Sequence, residues 1–260
     1  DTITYTLAGL SDAEKGWGIR GDTFFALEQL QLLGNESWFA LGDKDLATHI
    51  MRTRLLREGR TLSEVTEQIR RTLGVTARIL PMSDGRVETR VETSIGEISF
   101  QEFFVKERWA PEVLAVSFAR AEKSRPAAGV LESIQEADAI VLCPSNPITS
   151  IGPILAVPEI RAALESVKCP VVGVSPLIGN LAISGPAHKL MHTSGWKASA
   201  FGVAQCYRGF LKRLIIAVED AGMATAIQEL GIDTSCANIR MRTLQDKKRL
   251  ASEVLAWARK

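Results

Sequence analysis

Residues 137–160 read ADAIVLCPSNPITSIGPILAVPEI, and the rest of the chain is arranged around them. The run Ala139-Ile140-Val141-Leu142-Cys143 is apolar, β-branched and short, the composition of a buried parallel strand. Pro144 breaks it, and small and polar residues follow as far as Pro153. Ile154 to Leu164 then reads as helix, interrupted near Pro158. Strand, small-polar loop, helix is the layout in which α/β proteins bind ligands beyond the carboxyl ends of their strands. Hydroxyls, an Asn amide and backbone N–H groups in such a loop suit phosphate oxygens. The same residue types also make a capped turn that binds nothing, so this loop alone does not assign a ligand.

The βα rhythm continues downstream. Pro170 to Val174 reads as a strand, Ser175 to Asn180 as a loop, and a helix after Ser184-Gly185-Pro186 carries His188, Lys189 and His192. Val203 to Phe210 reads as helix, Leu214 to Val218 as strand, Ala224 to Leu230 as helix, and Leu244 to Arg259 as an amphipathic terminal helix. Upstream, Val113 to Phe118 reads as a strand and Val130 to Glu136 as the helix feeding the central strand. Alternating β and α elements over 113–260 predict a Rossmann-like, doubly wound, mainly parallel α/β sheet.

Residues 1–110 differ. Helices are expected over Phe24 to Leu33, with Asp22 and Thr23 as N-caps, and over Leu46 to Glu58. A third, ending at Gly74, is opened by the capping box Thr61-Leu62-Ser63-Glu64. Arg78 to Met82 is strand-like, and Arg86 to Thr93 and Glu97 to Val105 alternate as an antiparallel hairpin about Ile95-Gly96. The division is thus a helical and hairpin lobe over 1–110, covering the site, and an α/β core over 111–260.

At 260 residues with a net charge of +1, the chain can bury a large core and has no charge excess for nucleic acid or membrane. No apolar run is long enough to span a bilayer, and the first residues lack the features of a signal peptide. Cys143, Cys169, Cys206 and Cys236 form no CxxC pair, so free, largely buried thiols in a reducing cytoplasm are expected. His188 and His192 stand i, i+4, a zinc-compatible spacing, but no HExxH pattern surrounds them. GxSxG and GxxxxGK[ST] motifs are absent.

Three polar clusters carry the functional reading. Asp43 and Asp45 flank Lys44 in GDKDLATH, and two such acids suit Mg²⁺ or, equally, a charged helix start. Asp22 and Thr23 follow a loop containing Trp17, whose ring can stack on a flat ligand or simply pack. The loops Ser145 to Pro153, Ser175 to Asn180 and Ser184 to Pro186 are expected to converge on one sheet edge, which favours a phosphate or nucleotide cleft.

Taken together, the stretches DTITYTLAGL (1–10), GWGIRGDTF (16–24), LGDKDLATH (41–49), LPMSD (80–84), ISFQEFFV (98–105), PSNPITSIGPIL (144–155), VSPLIGN (174–180) and ISGPAHKLM (183–191) resemble the 2-phospho-L-lactate transferase family of coenzyme F-420 biosynthesis. The resemblance implies a Rossmann-like fold with an added lobe, usually homodimeric. It implies a Mg²⁺-dependent transfer of a 2-phospholactyl group from lactyl-2-diphospho-5′-guanosine to the ribityl hydroxyl of the deazaflavin Fo, with release of GMP. The resemblance implies, too, that the enolpyruvyl analogue of the donor can be used instead, as in bacterial relatives. It also implies a glycine-rich strand–loop ahead of Asp1. A related Rossmann family of non-catalytic regulators that bind nucleotide-sugars is the alternative.

Carried onto this sequence, the resemblance makes Asp1 the group that orients or deprotonates the attacking hydroxyl. Asp1, Lys44, Asp22, Thr23 and Trp17 fall on the acceptor side. The family usually carries Arg where Lys44 stands, and Lys lacks the bidentate fork. Ser145, Asn146, Pro147, Thr149, Ser150, Ser175, Gly179, Asn180, Ser184 and Gly185 are expected on the donor side, with Asp43 and Asp45 as candidate metal ligands.

Overall fold

A computed structural model of the protein describes residues 1–12, 14–179, 181–182 and 185–259. The first helix, α1, is Thr2–Leu7, followed by α2 (Phe25–Leu32), α3 (Asp43–Arg57) and α4 (Leu62–Thr72). Thr61 and Glu64 form the expected capping box at α4. Leu55 of α3 meets Val65 and Ile69 of α4 in a small core of their own.

Strands β1 (Glu88–Thr93) and β2 (Gly96–Ser99) make the expected hairpin. The expected strand over 78–82 does not form; the nearest pairing is an isolated bridge from Ser83 to Pro126. The second hairpin strand also stops early, at Ser99. Ser99 N–H donates to the Glu102 carboxylate (2.9 Å) and Glu102 N–H donates to Ser99 Oγ (3.1 Å). This reciprocal cap turns the chain into a π-helix, Glu102–Lys106. β3 (Val113–Ala119) was expected in the parallel sheet, but it pairs antiparallel with β1, giving the order β2-β1-β3. The antiparallel sheet therefore straddles residue 110. Its Val91 and Val113 share the main core with Phe103 of the π-helix, whereas α3 and α4 keep a separate one.

The α/β core begins with α5 (Val130–Gln135) and β4 (Ile140–Leu142). The helical turn after β4 starts earlier than expected, as a π-helix over Pro147–Ile151 running into α6 (Gly152–Leu155) and α7 (Pro158–Ser166). Pro147 suits a first helical position, where its missing N–H costs nothing. Then come β5 (Val171–Val174), a small hairpin of β6 (Leu177–Ile178) and β7 (Leu181–Ala182), and α8 (Ala187–Thr193). α9 is Ala200–Cys206, set three residues ahead of its expected start by the Ser199 hydroxyl, which accepts from Gly202 N–H. β8 (Arg213–Ala217), α10 (Ala224–Gln228), β9 (Asp233–Ala237) and α11 (Leu244–Ala258) complete it. β9 was not anticipated.

The order β4-β5-β8-β9 is parallel throughout, as expected of a doubly wound sheet. The period of two divides each central strand between two layers. Leu214 and Ile216 face the main core with Ile160 and Leu164 of α7, while Ile215 and Ala217 face Leu250 and Val254 of α11. Each fully buried aliphatic side chain of this kind stabilises the fold by about 2 kcal/mol. The cysteines are free, but Cys143 and Cys236 are exposed rather than buried, because Cys143 follows β4 and Cys236 lies in β9, the two edge strands of the sheet. Among the described residues no helix is long and apolar enough to cross a membrane.

Candidate active site

Residues of all three small-polar loops line one cavity of about 390 Å³ past the carboxyl ends of β4 and β5. Ser145, Asn146, Thr149, Ser150 and Gly185 come together there, with Pro176 from the second loop. Asn146 organises the first loop. Its Oδ1 accepts from Ile148 N–H (2.9 Å) and Thr149 N–H (3.3 Å), and its carbonyl accepts from Ser150 N–H (3.0 Å) and Ile151 N–H (3.1 Å). Free backbone N–H groups were expected in this loop for phosphate, and these four are already paired. The loop instead offers the hydroxyls of Ser145, Thr149 and Ser150, and the Asn146 amide nitrogen, which has no hydrogen-bond partner among the described residues.

The other residues expected on the donor side are placed differently. Pro147 turns to a separate hollow beside Phe118. Ser175 is fully buried, and its hydroxyl closes a turn with Leu177 N–H and C=O at 3.2 Å each. Gly179 N–H donates to the carboxylate of Asp220 (3.2 Å), a buried acid just past β8 that the sequence reading did not single out. Burial pushes the Asp220 carboxyl above its ordinary value, and the Gly179 N–H pulls the other way. Asn180 and Ser184 lie outside the described residues. Phe100, Phe104 and Met241 also line the cavity and were not anticipated.

A second polar centre lies in the helical block. Asp1 pairs with Arg52, and Asp1 Oδ2 lies 3.5 Å from His49 Nε2. His49 Nε2 is also 3.8 Å from Asp45 Oδ1, which accepts from Tyr5 Oη at 2.8 Å. The spacing follows from α3, where positions 45, 49 and 52 share one face. Burial and the adjacent Arg52 guanidinium hold His49 below the usual imidazole value, against an opposing pull from Asp45. Burial pushes Tyr5 up to about 12. Among the described residues, Asp1, Asp45 and His49 are the group of ligating side chains close enough to share a cation, their atoms within 4.8 Å. His188 and His192 line a different hollow and belong to no such group among the described residues.

Of the other residues expected on the acceptor side, Asp22, Thr23 and Lys44 meet Asp43 in a cross-capped knot. Asp22 accepts from Lys44 N–H (2.8 Å) and Asp45 N–H (3.3 Å), capping α3 from a distant loop. Asp43 accepts from Phe25 N–H (3.1 Å), Ala26 N–H (3.0 Å) and the Thr23 hydroxyl, capping α2 in return. The Thr23 hydroxyl and the Ala26 N–H hold Asp43 below the usual carboxylate range. Both oxygens of Asp43 are thereby committed, so the two acids expected to share a metal have different partners. Lys44 Nζ donates to the carbonyls of Gly21 (2.9 Å) and Arg20 (3.3 Å). Trp17 is exposed, with Lys15 Nζ 5.7 Å from its ring centroid.

Comparison with known proteins assigns the chain to a family. The chain is 41% identical over 256 residues to a 2-phospho-L-lactate transferase of Methanococcoides burtonii, covering 98% of this chain and 83% of that one. It is 42% identical over 264 residues to a phosphoenolpyruvate transferase of Streptomyces griseus, covering 99% and 83%. A solved UPF0052-family structure from Bacillus halodurans aligns with a TM-score of 0.63 over 97% of this chain and 81% of that one, at 17% identity, a likeness of fold alone. The profile of 2-phospho-L-lactate transferase CofD matches residues 1–246. With that span and those identities, the chain is a transferase and belongs to the 2-phospho-L-lactate transferase CofD family.

Proposed function

We propose that the protein moves a phosphorylated three-carbon acid, 2-phospholactyl or phosphoenolpyruvyl, from a guanosine-diphosphate-linked donor to the ribityl hydroxyl of the deazaflavin Fo. The observation that carries the reading is the gathering of Ser145, Asn146, Thr149 and Ser150 around one cavity at the carboxyl ends of parallel strands. The relatives' names, one for phospholactate and one for phosphoenolpyruvate, support a three-carbon acid as the moving group.

In the reaction, the hydroxyl oxygen of Fo attacks the phosphorus that bears the three-carbon acid. A new O–P bond forms, the bridging P–O bond breaks, and its electron pair leaves with GMP. The hydroxyl proton passes to Asp1 Oδ2, the oxygen that faces His49, while Arg52 holds the other oxygen. Arg52 fixes the Asp1 carboxylate, and positioning of this kind supplies much of phosphoryl-transfer catalysis. The hydroxyls of the 145–150 loop and the Asn146 amide nitrogen bind the diphosphate. Lys44, Thr23 and Asp22 shape the acceptor side through the loop they tie down, and Trp17 offers an exposed ring beside it.

The carboxylates of Asp45 and Asp1 beside His49 fit a hard divalent cation, since Mg²⁺ is held by one or two carboxylates, waters and substrate phosphates. Asp45 would hold it, and its chemistry there is neutralisation of diphosphate charge. Asp43, tied up in capping α2, fits that role less well. The proposal includes a homodimer acting in the cytoplasm.

The test is a transfer assay with Fo and Mg²⁺, the lactyl and enolpyruvyl guanosine donors offered separately and product read by mass. Phosphodiester product with GMP is expected from one donor. Fo binding without product from either donor, or no Fo binding at all, would overturn the reading.

A further inference from the structure

Two π-helices occur among the described residues, and both line the same cavity: Glu102–Lys106 through Phe104, and Pro147–Ile151 through Thr149 and Ser150. π-Helical turns are rare and recur at functional sites, because they redirect side chains that a regular helix would bury or expose. In Glu102–Lys106 the redirection separates two neighbours. Phe103 is fully buried in the main core, while Phe104 is half-buried and stands in the cavity wall.

The Phe104 ring is fixed on three sides. Phe100 lies at 5.5 Å between centroids and Trp109 at 5.1 Å, both tilted. On the third side is Gly185, where an added Cβ would sit 3.3 Å from the ring. The backbone holding Trp109 is strained, since Arg108 and Trp109 have φ of 48° and 49°, a conformation uncommon for residues other than glycine. It is held there by Trp109 N–H donating to Phe103 C=O (2.8 Å) and by Lys189 Nζ donating to the carbonyls of Trp109 (2.8 Å) and Ala110 (3.3 Å). Strain that is held by its surroundings clusters at binding and catalytic sites. Phe100 and Phe104 of this cluster line the cavity together with the hydroxyl-bearing residues Ser145, Thr149 and Ser150.

We infer that Phe104 is a binding residue that stacks a planar heteroaromatic ring of a substrate, on a shelf built by Phe100 and Trp109. The inference rests on the transferase reading above, which supplies two such rings: the guanine of the donor and the deazaflavin of the acceptor. Stacking is matched to both, because each is flat and polarisable and neither needs a hydrogen bond from the shelf.

The experiment titrates GDP by calorimetry and Fo by fluorescence against the wild-type chain, Phe104→Leu and Phe104→Tyr. Leucine keeps apolar bulk and removes the π face; tyrosine keeps the face. Phe104→Leu is expected to weaken one ligand about tenfold and leave the other within about twofold, and Phe104→Tyr to restore the loss. Loss of GDP assigns the ring to the donor, and loss of Fo to the acceptor. Unchanged affinity for both ligands, or equal loss of both, overturns the shelf. Should Phe104→Leu not fold, Phe104→Trp carries the test, with a larger face expected to tighten one ligand and unchanged affinity for both counting against the inference. A wild-type chain that binds neither ligand instead sinks the transferase reading, and this inference with it.

Discussion

Asn146 is the residue at which sequence and structure diverge most usefully. Its place in a small-polar loop after a strand pointed to a phosphate contact, and it does line the cavity. Its side-chain oxygen, however, caps the π-helix that follows, so its oxygen serves the fold while its nitrogen has no hydrogen-bond partner among the described residues. Two substitutions separate these duties. Asn146→Asp keeps an equally good cap, so the melting temperature is expected to stay within about 2 °C of wild type. It replaces a donor with a negative charge, so GDP affinity is expected to fall about tenfold or more. Asn146→Ala loses the cap as well, at about 1 kcal/mol of stability. Calorimetric titration with GDP beside thermal denaturation checks both, and Asn146→Asp binding GDP like wild type would remove the loop from the diphosphate. The cysteines carry a second prediction at this scale. Burial pushes the Cys206 thiol up to about 12, whereas Cys143 and Cys236 are exposed. Brief iodoacetamide treatment of the native protein, read by mass spectrometry, is expected to label Cys143 and Cys236 and spare Cys206.

At the scale of elements, a full local capping box made a helix start legible, while single-sided caps such as Ser199 before α9 did not. Thr61-x-x-Glu64 carries its own reciprocal bond, and α4 begins there. Ser99-x-x-Glu102 is the same signal in a stretch that otherwise alternates like a strand, and there the cap prevails over the alternation. The starts of α2 and α3 have no such local sign. Asp22 was expected to cap α2, next to it in sequence, but it caps α3, while Asp43 crosses back to cap α2. This exchange explains Gly42, since a Cβ there would collide with the Asp22 carboxylate. Asp22→Ala strips the first turn of α3 of its acceptor and is expected to cost about 1–2 kcal/mol in a denaturant titration. Gly42→Ala is expected to destabilise through the same bond, by about 1–3 kcal/mol, because the carboxylate must move out of the way. Pairing the two tests the link: if Asp22 and Gly42 act through one contact, the double variant loses clearly less than the sum of the single losses. Additive losses would show that Gly42 is required for another reason.

Across the whole molecule, the parallel sheet was readable because each buried strand is a short apolar run followed by a helix, as in residues 139–164 and 170–193. Which sheet a strand joins is not written locally. Val113–Ala119 has the composition of a core strand, yet it closes the hairpin sheet through Val91 opposite Val116. Asp233–Ala237 escaped notice because an edge strand with one neighbour needs few apolar residues. The loops pointed to Ser145, Asn146, Thr149 and Ser150, which line the cavity, while Phe104, Asp220 and Arg52 were not anticipated, since their contacts depend on neighbours far along the chain. Asp220 ties these levels together. It sits past the end of β8 and accepts from Gly179 in the loop after β5, so one buried carboxylate joins two strand ends at the edge where the cavity lies. Burial raises its folded-state pKa above the unfolded value, so the native chain binds the proton more tightly. The stability this group contributes is therefore full below the unfolded pKa of about 3.9 and is lost as pH rises through the raised folded value. Asp220→Asn removes the titration but keeps an oxygen to accept from Gly179. The melting temperature of Asp220→Asn relative to wild type is thus expected to rise as the pH goes from 4 to 7.5. A difference that stays flat over that range would mean that the carboxyl titrates alike in the folded and unfolded chain, and that its burial is relieved by water at the sheet edge.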